Sequence, residues 1–301
     1  MAGIYVEIDI RCSMEDLWTK TQSPELHRQW DLRFTDIKYL PRPDPAEPQR
    51  FLYETRIGFG FKIAGEGESL GAHESNGSRT SALRFWSNDS KSLIREGSGY
   101  WQYIPIPVGV RFLTWYDYST RFGNAGRLID AVMFRPLLGW ATAWSFDRLR
   151  LWLEVGVDPS SSMRQSLIYA FSRVIVAFVW IYHGLIPKVL FENHDESVML
   201  VAAGVAREHL TIALRALGFA EIAFGVVLLA AWNARLPLIV TVVLMIGALF
   251  SVAVQAPEYL VAAFNPVTLN IAMIALSVIG LLSMVNLPSA GRCKRKGKRT
   301  P

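Results

Sequence analysis

LPLIVTVVLMIGALFSVAVQAP, residues 236–257, carries no charged side chain over its whole length. A hydrocarbon core about 30 Å thick needs roughly 20 helical residues to cross, so this stretch predicts a membrane span. Three more apolar runs flank it: about 166–190, interrupted by Arg173, His183 and Lys188; about 213–232, with Arg215 and Glu221; and about 266–285, where Asn265-Pro266 supplies an N-cap and a first-turn proline. Four spans are expected. The remainder of the 301 residues fits this picture, because 51% of the chain is hydrophobic and only 19% charged.

The charge distribution divides the chain. Residues 1–159 hold 19 Lys+Arg against 20 Asp+Glu, whereas residues 160–301 hold 12 against 6, and six of those cations lie between Arg292 and Arg299. The net charge of +5 thus describes one short tail and excludes a nucleic-acid surface. The break falls in GVDPSSS (156–162), which separates an expected cytoplasmic domain at 1–159 from a membrane domain at 160–290 and a basic cytoplasmic tail at 291–301. Arg148, Arg150, Arg164 and Arg235 fall on the same side as that tail, and acids gather on the other, so both termini are expected in the cytoplasm. Glu7, Asp9 and Arg11 leave no apolar core for a cleavable signal. Cys12 and Cys293 allow neither a disulfide framework nor a CxxC metal site, and are expected as free thiols.

The first 159 residues alternate differently. A strand at 4–11 is followed by Ser13-Met14-Glu15-Asp16, a capping-box pattern, and by Ser23-Pro24, a second helix start. From Thr35 to Phe122 come short strands rich in aromatic and β-branched residues, at 51–58, 79–87, 99–106 and 110–122, with ESNGS (74–78) as a turn. Helical texture returns after Gly126, with Pro136 splitting a short helix from a long one. This order is α+β. The segments WDLRFTDI (30–37), SALRFWS (81–87), GYWQYIP (99–105), FLTWYDYSTRFG (112–123) and RPLLGWATAWSFDRLRLWLE (135–154) resemble the START-like superfamily, also called SRPBCC or polyketide cyclase-like. That resemblance implies a helix-grip fold, a curved antiparallel sheet around a long helix with a cavity for a lipophilic ligand. Trp101, Tyr103, Phe112, Tyr116, Trp140 and Trp144 are its candidate ligand contacts, although strand and helix aromatics of this kind are more often plain core. His27 and His73 are expected to stand apart from other catalytic-type groups, and no nucleophile elbow, phosphate loop or metal spacing occurs, which favours binding over catalysis.

WIYHGLIPKVLF (180–191), GFAEIAFGVVLL (218–229) and PEYLVAAFNPVTLNIAMIALS (257–277) resemble the DoxX-like membrane family, in the branch with GLxPK and FNPVTLN segments. The resemblance implies an all-α four-helix transmembrane bundle with Arg173, His183, Lys188, Glu221 and Asn270 as its polar interior. Ionisable residues at membrane depth are costly and mark function, and depth counting at about 1.5 Å per residue predicts an Arg173–Glu221 pair. The expectation is a multi-pass protein of the bacterial inner membrane whose cytoplasmic cup binds a lipid or lipophilic small molecule. The alternative is an accessory subunit of a quinone-linked oxidoreductase system with a redox partner protein. No cofactor is evident in the residues; quinone belongs to the alternative, and no metal is expected.

Overall fold

The computed structural model describes residues 3–44, 46–58, 60–261, 263 and 265–296. It forms two units, Met1–Ser162 with Pro288–Pro301, and Met163–Leu287.

In the first unit, β1 (Ile4–Ile10) leads into α1 (Met14–Gln22), capped by Ser13 Oγ accepting from Asp16 N at 3.0 Å. Pro24 then opens α2 (Pro24–Trp30). Strands β2 (Asp36–Tyr39), β3 (Gln49–Gly58), β4 (Phe61–Ser75), β5 (Ser78–Trp86), β6 (Ile94–Ile106) and β7 (Gly109–Thr120) follow. All pair antiparallel in the order β1-β7-β6-β5-β4-β3-β2. Asn76 and Gly77, both at positive φ (50° and 74°), close the β4–β5 hairpin in a turn whose twist matches the strands. After α3 (Gly123–Ile129) and a π-helical turn at Asp130–Phe134, Pro136 sits in the first turn of α4 (Arg135–Val155). Gly156 ends α4 in the left-handed region.

The sheet grips α4. Tyr116 Oη and Thr142 Oγ1 lie 2.8 Å apart, and Phe112 stacks on Phe146 with ring centroids 4.4 Å apart. Trp30 closes the same core against Trp101, Phe112 and Phe146.

The C-terminal segment departs from the expected free tail. Lys294 exchanges two backbone hydrogen bonds with Glu7, each 2.9 Å, on the open edge of β1, and its Nζ donates to Glu7 Oε1 at 3.0 Å. Arg292 donates to the buried Asp147 carboxylate at 2.8 Å, and Cys293 is buried against Ala143. A half-buried acid on β1 and a buried one on α4 thus recruit cations that sequence counting assigns to a basic tail. Gly297, Lys298 and Arg299 lie outside the described residues.

In the second unit, α5 (Pro159–His183, beginning at the end of the first unit) runs into a π-helical segment at Gly184–Leu190. Then come α6 (His194–Ala202), α7 (Leu210–Ala230), α8 (Leu236–Gln255) and α9 (Pro266–Leu282). The helical run Pro159–Leu190, the run Arg207–Ala230 and α8 are long and apolar enough to cross a membrane. The 17 residues of α9 fall short of that length, since they span about 25 Å. Asn265 caps α9 by accepting from Thr268 N at 2.9 Å, as expected, and the helix stops at Leu282 rather than near 285. Short α6, within a segment expected as a loop, forms because Asn193 caps it by accepting from Asp195 N at 2.8 Å.

Small residues set the close contact between the first two of these long helical runs. A Cβ on Gly184 would run into the Gly218 carbonyl, one on Gly218 into the Gly184 carbonyl, and one on Gly225 into Ile181. Lipid tails give no hydrophobic drive between helices, so such backbone approach supplies the packing. Tyr169, Val176, Trp180, Leu228, Leu238 and Met273 form the core of the unit.

Candidate functional site

The concave face of the sheet is built from an alternation of glycines and rings. By register, Phe51 pairs with Gly67, Gly67 with Phe85 and Phe85 with Gly97, while Tyr53 pairs with Gly65. A Cβ at 65, 67 or 97 would collide with the Tyr53, Phe51 or Phe85 ring, so the missing side chains let the rings lie across the strands. Phe34 continues this floor, 5.7 Å from the Tyr53 ring. Phe34, Phe51, Tyr53, Leu83 and Phe85 are all only half-buried, although they line the inner face of the sheet. The protein's own helices leave this aromatic floor partly uncovered.

A charged set sits at its edge. Asp31 is buried and takes both Arg33 Nε (2.9 Å) and an Arg33 terminal nitrogen (2.6 Å). Its Oδ2 also lies 2.9 Å from His27 Nε2. An ionised carboxylate only accepts, so Nε2 carries the proton and Nδ1 is the acceptor nitrogen. Burial pushes the Asp31 carboxyl up, but the charge and hydrogen bonds of Arg33 and then of His27 outweigh it and hold Asp31 well below the usual carboxylate range. Burial likewise lowers the His27 imidazole below its ordinary value, with Asp31 opposing only in part. His27 and Arg33 side chains retain 12% exposure each. The His27 ring contacts Trp30, Phe34 and Trp101 at centroid distances of 5.0, 5.2 and 4.9 Å. Tyr53, further along the floor, has its hydroxyl pushed up to about 12 by burial.

His27 therefore does not stand apart from other catalytic-type groups: the i, i+4 spacing to Asp31 across the end of α2 brings the two together. Of the six aromatics expected as ligand contacts, Trp101, Tyr103, Phe112, Tyr116 and Trp144 are buried among core neighbours, while Trp140 is exposed on α4. The half-buried aromatics of the floor are not among those six, and their signal is the period-2 glycines of GEG (65–67) and GSG (97–99). Among the described residues, no three His, Cys, Asp or Glu gather as a metal site would.

The membrane residues separate into two groups. Arg173 is fully buried and does not meet Glu221. Its Nε donates to Leu228 O (2.6 Å), and its terminal nitrogens to Ala231 O (2.6 Å), Ala234 O (2.9 Å) and Tyr169 Oη (2.7 Å). It thus closes the carbonyl end of α7. Glu221 pairs with Lys188 at 3.1 Å, and Lys188 also donates to Glu196 (2.9 Å) and to the His183 carbonyl (3.4 Å). Depth counting misassigned the partner because each long side chain reaches the polar group at its own end of the helices. Lys188 is only 4% exposed and does not snorkel to water. Asn270 is buried on α9, in neither group.

A seven-stranded antiparallel sheet packed on a long helix and joined to apolar helices defines a class: an α+β sheet-and-helix unit fused to a unit of apolar helices. Residues 177–278 match the model of the DoxX-like family. The "Uncharacterized membrane protein YndG" of Bacillus subtilis (strain 168) is 50% identical over 183 residues, 60% of this chain and 68% of that one. The chain belongs to the family of that membrane protein, and its residues 177–278 are DoxX-like. Among solved structures, a STAR-related lipid transfer protein fragment from Xanthomonas axonopodis is 16% identical with a TM-score of 0.38, covering 50% of this chain and 84% of its own. A hypothetical protein from Helicobacter pylori is 18% identical with a TM-score of 0.39, covering 50% and 86%.

Proposed function

We propose that this is a bacterial inner-membrane protein whose sheet-and-helix unit binds a lipid or lipophilic small molecule with a polar head. The half-buried floor of Phe34, Phe51, Tyr53, Leu83 and Phe85 carries the proposal, because concave aromatic surface left uncovered by a protein's own helices is what an apolar ligand would cover. Arg33 and His27, at the edge of that floor, offer donors to the head. Anchoring the unit by apolar helices keeps it close to the phase where lipophilic ligands partition. The segments before Met163 and after Leu287 fall in one folded unit, and a unit lying on one side of a bilayer favours an even number of crossings. That parity, with the cation asymmetry, supports four spans and both termini in the cytoplasm. Native mass spectrometry of the detergent-purified full chain tests the binding. A co-purifying lipophilic mass, lost in Phe51→Ser/Phe85→Ser but retained in Trp140→Ser, is expected; a mass that persists in the floor variant, or none in either, refutes it.

A second reading, an accessory subunit of a quinone-linked oxidoreductase system, draws on Lys188. A buried lysine held by Glu196 and Glu221 in a π-helical segment is the kind of irregular, charged site that membrane proteins retain for function. Quinone bound to the purified protein and lost in Lys188→Met would favour it.

A further inference from the structure

Residues 122–140 are built inside out. The segment holds three charged residues, Arg127, Asp130 and Arg135. Asp130 is fully buried, accepting from Tyr118 Oη (2.7 Å) and Arg135 Nε (2.9 Å), and Arg135 reaches Asp117 at 2.9 Å as well. These pairs pin the π-helical turn and the start of α4 to β7. The apolar residues face the other way: Leu128, Ile129, Val132, Met133, Leu137 and Trp140 are all exposed, Val132 at 72% and Leu128 at 66%. A helix on a water-facing surface shows the opposite arrangement, apolar inward and polar outward. An apolar face this continuous asks for an apolar phase.

We propose that the face formed by residues 122–140 lies in the interfacial layer of a lipid bilayer, with Leu128, Val132 and Met133 among the acyl chains and Arg127 at the headgroups. Three observations select lipid as the occupant. The π-helical turn buries its one charged residue, Asp130, and exposes Val132 and Met133, continuing the exposed Leu128 and Ile129 of α3. The one exposed charge of the segment is a cation, complementary to anionic headgroups. The chain is a membrane protein, so a bilayer is always within reach of this unit. Trp140, stacked on Trp144 at 6.2 Å, provides the aromatic edge favoured at such an interface. The proposal needs only the membrane location, so it stands or falls separately from ligand binding on the concave floor.

The test uses the full chain with Cys12→Ser in nanodiscs of phosphatidylethanolamine and phosphatidylglycerol. An environment-sensitive fluorophore is attached at Val132→Cys or, as a control, at Ser90→Cys on an exposed loop. A nitroxide carried on the lipid is expected to quench the probe at 132 severalfold more than the probe at 90, and aqueous iodide to show the reverse order. Equal iodide quenching at both positions would overturn the proposal. So would a probe at 132 shielded from both quenchers, which would mean that protein, such as a second copy of the chain, covers the face. The parent without an added cysteine, labelled in parallel, removes any signal from the buried Cys293.

Discussion

Arg148 in the sheet-and-helix unit and Arg173 in the membrane unit are both buried, and neither is neutralised by a carboxylate in direct contact. Each instead closes the carbonyl end of a helix. Arg148 donates to Gln29 O (2.9 Å), Trp30 O (3.2 Å) and Pro159 O (2.7 Å) at the end of α2 and the start of α5. Arg173 does the same at the end of α7, with Leu228, Ala231 and Ala234. A guanidinium offers five donors, and the last turn of a helix offers unpaired carbonyls with the negative end of its dipole, so the two desolvation costs offset each other. The difference lies in completeness. Arg148 leaves Nε without a partner, and burial lowers its guanidinium to about 10, whereas in the membrane unit each nitrogen of Arg173 has an acceptor. Water can rehydrate carbonyls orphaned near a protein surface but not those in hydrocarbon, so the solvent around the fold decides how fully the charge must be met.

The largest effect should come from Arg173→Leu, which strands three carbonyls and removes the donor to the Tyr169 hydroxyl; a loss of roughly 3 to 5 kcal/mol is expected, read as the melting temperature in detergent. Arg173→Lys, with a point charge in place of the fork, should fall between. Arg148→Met should cost less, roughly 2 to 3 kcal/mol. An equal or greater loss there would mean that the surrounding solvent does not decide how fully a buried guanidinium must be met. A double-mutant cycle sharpens it further. Lys188→Met and Glu221→Leu should each destabilise while the pair recovers much of the loss, with coupling of roughly 1 to 3 kcal/mol. Arg173→Leu with Glu221→Leu should be additive, and coupling between those two would restore the pairing expected from depth counting.

The smallest effect is on pH. Asp31 is depressed in the fold, so its contribution is present above the unfolded carboxylate value of about 3.9 and fades as pH falls towards the folded one. His27, lowered by burial, binds a proton more readily unfolded, so stability declines as pH drops below about 6.5. Both act in the same direction. His27→Gln should flatten the stability profile between about pH 6.5 and 5 and leave the steeper loss at lower pH; an unchanged slope in that window would show that His27 does not titrate between the two states.

Much of the architecture was legible because it depends on local rules. Ser13, Pro24, Asn76-Gly77 and Asn265 each act where capping and turn chemistry put them, and the uncharged run at 236–257 becomes α8, whereas Pro136 lies in a helical run continuous from Gly123 to Val155 and does not split it. What the sequence hid depends on acceptors without side-chain identity. Backbone carbonyls at the end of α7 look the same at every residue, so nothing in the residue string marks them as the partner of Arg173. The candidate site was hidden in a related way: Trp101 and Phe112 advertise themselves by size, whereas the uncovered floor is made possible by Gly65, Gly67 and Gly97, which have no side chains. The cations at 292 and 294 count towards topology in the sequence and towards folding in the structure, because Asp147 and Glu7 are remote in the chain.

If the proposed function holds, the aromatic floor of Phe34, Phe51, Tyr53, Leu83 and Phe85 is covered by a lipophilic molecule rather than by the chain itself. Replacing Phe85 with a photo-crosslinking phenylalanine analogue, irradiating intact membranes and sequencing the modified peptide by mass spectrometry addresses it directly. A lipophilic adduct on the peptide carrying residue 85 is expected. Cross-links solely to other segments of this chain, with no small-molecule adduct, would contradict it.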